Sequence, residues 1–253
     1  AVSGAWRIAS EDFMKDLPFI SDLKLRAGWG LMGNSNNVDA ANQFSLFGAG
    51  RGSSFYPIGG QSSGADEGYF RTRIGNADTK WETSETLNLG FDATLGNGKW
   101  EVAFDLWRKT TRDLLFPAPI PAVAGPGAAA PRVNIGSMRN QGIDFQIINR
   151  GKITNELKYD LTLNNSFLQN EIISLVGTQQ FINGPGYRGI SPIRNSVGQS
   201  LSSFFGYDVI GYFSSAEDVK NSPAQSGAGV GRFKYRDVNG DGRITPDDRT
   251  FLG

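Results

Sequence analysis

The richest run of side-chain oxygens in the sequence is Asp237-Val238-Asn239-Gly240-Asp241-Gly242-Arg243-Ile244-Thr245-Pro246-Asp247-Asp248. Oxygen side chains stand at positions 1, 3, 5 and 9 of a 12-residue loop, with glycine at 6, a hydrophobe at 8 and a carboxylate at 12. That is the donor spacing of an EF-hand-type calcium loop. Calcium requires many hard oxygen ligands, and a glycine at the sixth position permits the turn that gathers them. The spacing nominates the side chains of Asp237, Asn239, Asp241, Thr245 and Asp248, with the backbone carbonyl of Arg243. Two features depart from the pattern. Asp248 is shorter than the usual glutamate, and the preceding Arg232-Phe233-Lys234-Tyr235-Arg236 alternates like a strand instead of reading as an entering helix. Two readings therefore stand: a structural calcium site, or an Asn-Gly/Asp-Gly turn network that closes without an ion. A sensor role is disfavoured, because a lone loop lacks the helix pair that would open.

Little other chemistry is on offer. The sequence contains no histidine and no cysteine, which removes the commonest general base, thiolate metal sites, disulfides and cysteine nucleophiles together. A glycosidase-type pair of carboxylates would have to lie about 5 to 10 Å apart, and no catalytic motif marks one, so no enzyme is expected. Lys plus Arg equals Asp plus Glu at 25 each, and such a balance offers no basic field to nucleic acid.

The elements around these residues are strands. Leu87, Leu89, Phe91, Ala93 and Leu95 alternate with Asn88, Gly90, Asp92 and Thr94. A tight turn at 96–99 follows, and then Trp100, Val102, Phe104 and Leu106 alternate with Glu101, Ala103 and Asp105. This spacing predicts a hairpin with one apolar and one polar face. The same alternation predicts strands over 23–31, around Ile143, Phe145 and Ile147, and over 157–163, with residues 1–8 ending a further strand near Trp6. The apolar face is expected to carry Leu87, Leu89, Phe91, Val102, Phe104, Phe145, Leu161 and Leu163. The polar face is expected to carry Lys24, Arg26, Asp92, Glu101, Asp105, Asp144, Gln146 and Asp160, most of them meeting water or a covering element.

Connections alternate in length. Those at 9–21, 96–99 and 150–155 are compact, with Ser10 expected to cap a helical turn through Phe13 and Met14. Those at 32–80, 115–133 and 170–253 are long and rich in Gly, Asn, Ser and Pro. Phe55, Tyr56, Tyr69 and Phe70 are expected to pack the first long loop. The Pro/Ala/Gly-rich stretch 117–131 is expected to be mobile or covered by a partner. Phe204, Phe205, Tyr207, Tyr212 and Phe213 are expected to form loop core or a rim girdle, and Ser215 to cap a short helix from Ala216. Short turns at one rim and long loops at the other are the layout of an outer-membrane barrel. No apolar run reaches the ~18 residues of a membrane helix, and barrel strands need none, since only every second residue faces lipid. The chain opens and closes in mid-pattern and reads as an internal fragment.

Several stretches together resemble the SusC/RagA-like TonB-dependent outer-membrane transporters. They are Gly4-Ala5-Trp6-Arg7-Ile8 with Phe13-Met14-Lys15, Leu23-Lys24-Leu25-Arg26-Ala27-Gly28-Trp29-Gly30, Trp81-Glu82-Thr83-Ser84-Glu85-Thr86-Leu87-Asn88-Leu89-Gly90, Asn134-Ile135-Gly136 with Asn140-Gln141-Gly142-Ile143-Asp144, and Lys234-Tyr235-Arg236-Asp237-Val238-Asn239-Gly240-Asp241-Gly242. The resemblance implies an all-β antiparallel meander over 1–253, the late part of a transmembrane barrel of about 22 strands, with the 237–248 motif in an extracellular loop. It also implies a location in the bacterial outer membrane in contact with lipid, a SusD-like surface lipoprotein as partner, and energy from TonB through an N-terminal part that is missing here. The expected cargo is an oligosaccharide or peptide. The alternative is a soluble calcium-stabilised β module that binds glycans through loop aromatics. The apolar face discriminates the two: a sandwich would bury it between sheets.

Overall fold

The computed structural model describes residues 1–36, 38–52, 54–60, 64–117, 128–134, 136–175, 180–186 and 190–252. Most of the 117–131 stretch, and Tyr187, lie outside the described residues. The chain divides into two compact units, Ala1–Thr178 and Gln179–Gly253.

The first unit is built on one antiparallel sheet of six strands: β1 (Val2–Arg7), β2 (Ile20–Asn34), β3 (Glu82–Leu95), β4 (Trp100–Arg112), β5 (Ser137–Lys152) and β6 (Lys158–Ser174). Spatial order follows chain order, the meander that the alternation predicts. From β2 onward the strands run 13 to 17 residues, well beyond the five or six usual in globular proteins. Each is longer than its apolar stretch, because main-chain pairing continues toward the long connections after the side chains have turned polar.

The β3–β4 connection places Asn97 at φ 56° and Gly98 at φ 83°, the left-handed conformations that a hairpin turn demands of such residues. The β5–β6 connection is closed by the Ile153 N–H, which donates to the Leu157 carbonyl at 2.8 Å. Between β1 and β2 the expected Ser10 cap is not made. Ser10 ends one 3-10 turn (Ile8–Ser10), Asp12–Met14 forms a second, and neither has a side-chain cap. The Trp6 indole instead donates to Glu11 at 2.9 Å.

Register fixes the faces. Leu25, Phe91, Phe104 and Phe145 stand in one cross-strand row, and Ala27, Leu89, Leu106, Ile143 and Phe167 in the next. All eight residues expected on the apolar face share it. Much of that face is open among the described residues: Leu89 is 46% exposed, Leu106 48%, Leu163 54% and Phe167 60%. Among the described residues the buried hydrophobics are Ala93, Leu115, Ile172 and Phe213, too few for the core of a soluble domain this size. The soluble sandwich is therefore not the fold.

In the long β2–β3 connection, Leu46–Gly48 pairs with Phe70–Arg73. Phe55 and Phe70 are half-buried there, while Tyr56 and Tyr69 face out. The stretch 170–253, expected as a loop, is instead the end of β6 followed by the second unit. That unit carries a four-stranded sheet of β7 (Phe181–Asn183), β8 (Ile193–Ser196), β9 (Ser203–Tyr207) and the closing strand Arg249–Leu252, plus a pair formed by Val209–Tyr212 with Phe233–Tyr235. Ser215 caps the helix Ala216–Lys220 through the Asp218 N–H, as its position predicts. Of the aromatic group, Phe213 is fully buried and Phe205 lies against the Arg194 guanidinium at 3.6 Å, whereas Phe204 and Tyr212 are exposed.

Candidate functional site

Two sets of residues carry polar chemistry: the polar face of the six-stranded sheet and the 237–248 loop. On the sheet, residues expected on the polar face share it and are mostly tied to one another across strands. Arg26 on β2 grips two carboxylates. Its Nε and Nη2 donate to Asp92 at 2.9 Å each, and its Nη1 and Nη2 to Asp105 at 3.0 and 3.1 Å. Arg150 joins Glu101 on β4 to Asp160 on β6. The Trp107 indole donates to Asp144 at 2.7 Å, Ser166 donates to the same carboxylate, and Gln146 donates to Asn164 at 2.8 Å. Lys24 stands in the same row as Asp92 and Gln146. Fork-shaped arginine contacts of this kind fix geometry as well as charge. These groups are engaged with each other, so the face reads as a braced wall and not as a site with a free nucleophile or base.

Two glycines make room for the braces. A Cβ at Gly90 would lie 2.4 Å from Asp105 Oδ1 and 2.7 Å from the Phe104 carbonyl, and one at Gly142 would lie 2.9 Å from the Trp107 ring. Trp107 and Gly142 were missed in the sequence. The signal was parity alone, since Trp107 follows Leu106 in an alternating strand and must turn to the polar face.

The 237–248 loop brings its expected residues together as a turn network. Asp237 accepts from the Gly240 and Gly242 N–H groups at 2.7 and 2.8 Å, Asn239 from Asp241 N–H at 2.9 Å, and Asp241 from Arg243 N–H at 2.8 Å. Asp248, fully buried, reaches back across the loop: one oxygen accepts from Val238 N–H at 2.9 Å and the other from Thr245 N–H at 2.7 Å. The Thr245 hydroxyl accepts from Asp247 N–H, completing a capping box with Asp248. Gly242 takes φ 81°, as the sixth position requires. Within the loop, Arg243–Ile244 pairs in parallel with Ala224–Gln225. Among the described residues no three His, Cys, Asp or Glu side chains gather closely enough to hold a metal ion.

The Thr245 N–H, with Val238 and Asn239, holds the Asp248 carboxyl below its ordinary value, against the opposing effect of burial. Nearby, the Lys234 ammonium at 2.8 Å and the Ser214 N–H hold Asp218 at about 2.

The family described as TonB dependent receptor-like, beta-barrel matches residues 6–249. The chain belongs to this family. It is 31% identical over 255 aligned residues to TonB-dependent receptor P3 of Formosa agariphila, covering 98% of this chain and 24% of that protein. It is 30% identical to TonB-dependent receptor SusC of Bacteroides thetaiotaomicron, covering 96% of this chain and 23% of SusC. The chain thus spans about a quarter of the length of these relatives. The structure of the RagAB peptide transporter superposes with a TM-score of 0.72 at 20% identity, over 99% of this chain and 25% of that one. At that identity the likeness establishes the fold. The six strands are part of a TonB-dependent receptor β-barrel and do not close one themselves.

Two outcomes follow from this geometry. Gly90→Ala should lower stability by about 1–3 kcal/mol through forced overpacking. Gly28→Ala, whose Cβ meets nothing nearer than Ser3 at 3.8 Å, should be close to neutral. Urea unfolding in detergent compares them, and equal midpoints would show that the Arg26 brace tolerates displacement. In the second unit, carboxylates with depressed folded pKa values stabilise fully above about pH 4, their ordinary range, and lose that contribution as pH falls through the folded value. Hydrogen exchange over 214–248 should therefore be flat from neutrality to about pH 4 and accelerate, beyond its intrinsic pH trend, between about 4 and 2. No such acceleration would mean that Asp218 and Asp248 do not hold this region.

Proposed function

We propose that this chain forms part of the wall and the outer loops of an outer-membrane transporter that imports oligosaccharides or peptides and catalyses no reaction of its own. The observation that carries the reading is the uncovered apolar face of a continuous antiparallel sheet, with short turns at one end and long excursions at the other, in a chain of this family. Outer-membrane barrels present that face to lipid and turn the polar face inward. In the proposed arrangement the turns at 96–99 and 150–155 lie at the periplasmic rim, and residues 32–80, 115–133 and 170–253 lie outside the cell. A SusD-like surface lipoprotein would close over the outer loops. TonB would act through parts of the relatives' length that this chain does not span. The likeness to the RagAB peptide transporter supports a peptide as cargo, and the resemblance to SusC/RagA-like transporters widens the class to oligosaccharides.

This stretch has no cysteine of its own, so cysteines introduced into it report its topology against the unaltered protein as background. Single cysteines at Asn97 and Ala128 of the intact protein should differ on whole cells, with Ala128→Cys labelled by an impermeant maleimide and Asn97→Cys labelled only after lysis. Equal labelling on whole cells would overturn the arrangement.

We further propose that the 237–248 loop takes a structural calcium ion. The spacing of Asp237, Asn239, Asp241, Arg243, Thr245 and Asp248 supports this, as does the second lone pair that each amide-bonded carboxylate oxygen keeps. Binding would draw these oxygens inward, because no carboxylate cluster of that kind stands ready. Chelation, or Asp241→Ala, should raise protease cleavage within 237–248 and leave the strands intact. No calcium binding at millimolar concentration, with cleavage unchanged, would leave the turn network as the whole role of the motif.

A further inference from the structure

The long-loop end of the apolar face carries a group of cations that the transport reading does not use. Arg108 and Arg112 project from β4 and Arg139 from β5, on the same side as Leu106 and Ile143 by register. Together with Trp29 and Leu87 they line a recess of about 360 Å³. Arg112 pairs with Glu85 at 2.9 Å and Arg139 with Glu171 at 3.0 Å. The Arg108 guanidinium has no hydrogen-bond or ion-pair partner among the described residues, so three cations face two anions. The Arg139 Nε–H is covered and also unpaired among the described residues.

Directly below, and sharing Leu87 and Arg108, lies an open apolar recess of about 560 Å³ against Leu89, Leu106, Ile143 and Phe167. Height along the strand fits this pairing. Arg108 follows Trp100 by eight positions, which at ~3.4 Å per residue and ~40° tilt raises it about 20 Å, close to the upper edge of an apolar band ~25 Å tall. Trp29, in the same row as Arg108, supplies the interfacial aromatic expected there.

An arginine without a partner on a lipid-facing surface is costly unless an anion meets it. Surface ion pairs such as Arg112–Glu85 are weak and readily exchanged, whereas a phosphate offers guanidinium groups a bidentate acceptor. We propose that the two recesses seat one phosphorylated glycolipid of the outer leaflet, of lipid A type. Its phosphate would lie among Arg108, Arg112 and Arg139, and an acyl chain along Leu89, Leu106, Ile143 and Phe167. The long-loop rim selects the outer leaflet, and hence a glycolipid over a phospholipid. This inference rests on the proposed outer-membrane location.

Native mass spectrometry of the protein purified from outer membranes tests it, using added lipid A, dephosphorylated lipid A and phosphatidylglycerol as probes. Lipid A should bind the unaltered protein at least about tenfold more tightly than either of the others, and R108S/R112S/R139S should lose that margin. Equal binding of phosphorylated and dephosphorylated lipid A to the unaltered protein would overturn the proposal, a result that needs no variant to fold. Preference for phosphatidylglycerol would overturn the glycolipid assignment. Failure of the protein to fractionate with outer membranes would instead overturn the location on which the proposal rests.

Discussion

Everything in the first unit depends on the continuity of its main-chain ladder. Strands β2 to β6 stay paired over nearly their whole lengths, and the register shifts only near the ends, at Ile20/Asp22 and Ile172/Ser174. In a hydrocarbon setting an unpaired backbone N–H or carbonyl has no water to turn to, so an unbroken ladder is a condition of existence for a spanning sheet. Side-chain direction is slaved to the same ladder. A slip of one residue in the β2–β3 pairing would put Phe91, Phe104 and Phe145 on the face opposite Leu25 and part Arg26 from Asp92 and Asp105. The turns at 96–99 and 153–157 hold that parity, because each fixes which residues face each other across its hairpin.

The polar face shows how a sheet with almost no buried core is made stiff. Hydrophobic burial, the dominant stabilising term in soluble domains, contributes little here among the described residues. Its place is taken by ties that each join three strands: Arg26 to Asp92 and Asp105, Arg150 to Glu101 and Asp160, Asp144 to Trp107 and Ser166. Each tie adds a geometric restraint perpendicular to the strands, where the ladder alone permits shear. The same ties leave the face polar yet largely satisfied.

Much of this was legible in the sequence. Alternation with period two places every residue expected on either face correctly, because parity is a local property and survives without any knowledge of pairing. The strand ends were not legible, since past Leu31 and Leu106 the side chains stop alternating while the backbone keeps its partners. The second unit was missed as an element for a related reason: its strands span two to five residues, too short for any period to declare itself. The Trp107–Gly142 contact and the meeting of Arg108, Arg112 and Arg139 depend on which residue of one strand faces which of the next, and single-strand patterns do not encode that. In the 237–248 loop the donor spacing was legible and the hydrogen bonding was not. Asp248, read as a terminal ligand, is the buried acceptor that ties Val238 and Thr245 together.

That double use of Asp248 bears on how the loop can respond to a cation. A carboxylate already held by N–H dipoles has part of its charge compensated and its rotamer fixed, so it costs little to leave as an anion out of water. The half-buried Asp237 and the exposed Asp241 are fixed the same way, by N–H groups two to five residues on. The loop is thus shaped before any ion arrives, with its negative charge arranged along one turn instead of collapsed to a point. A cation entering such a loop would not have to fold it. It would only have to draw together donors whose backbone is already turned toward them, and the energy of that adjustment, more than the number of oxygens, sets whether the motif binds.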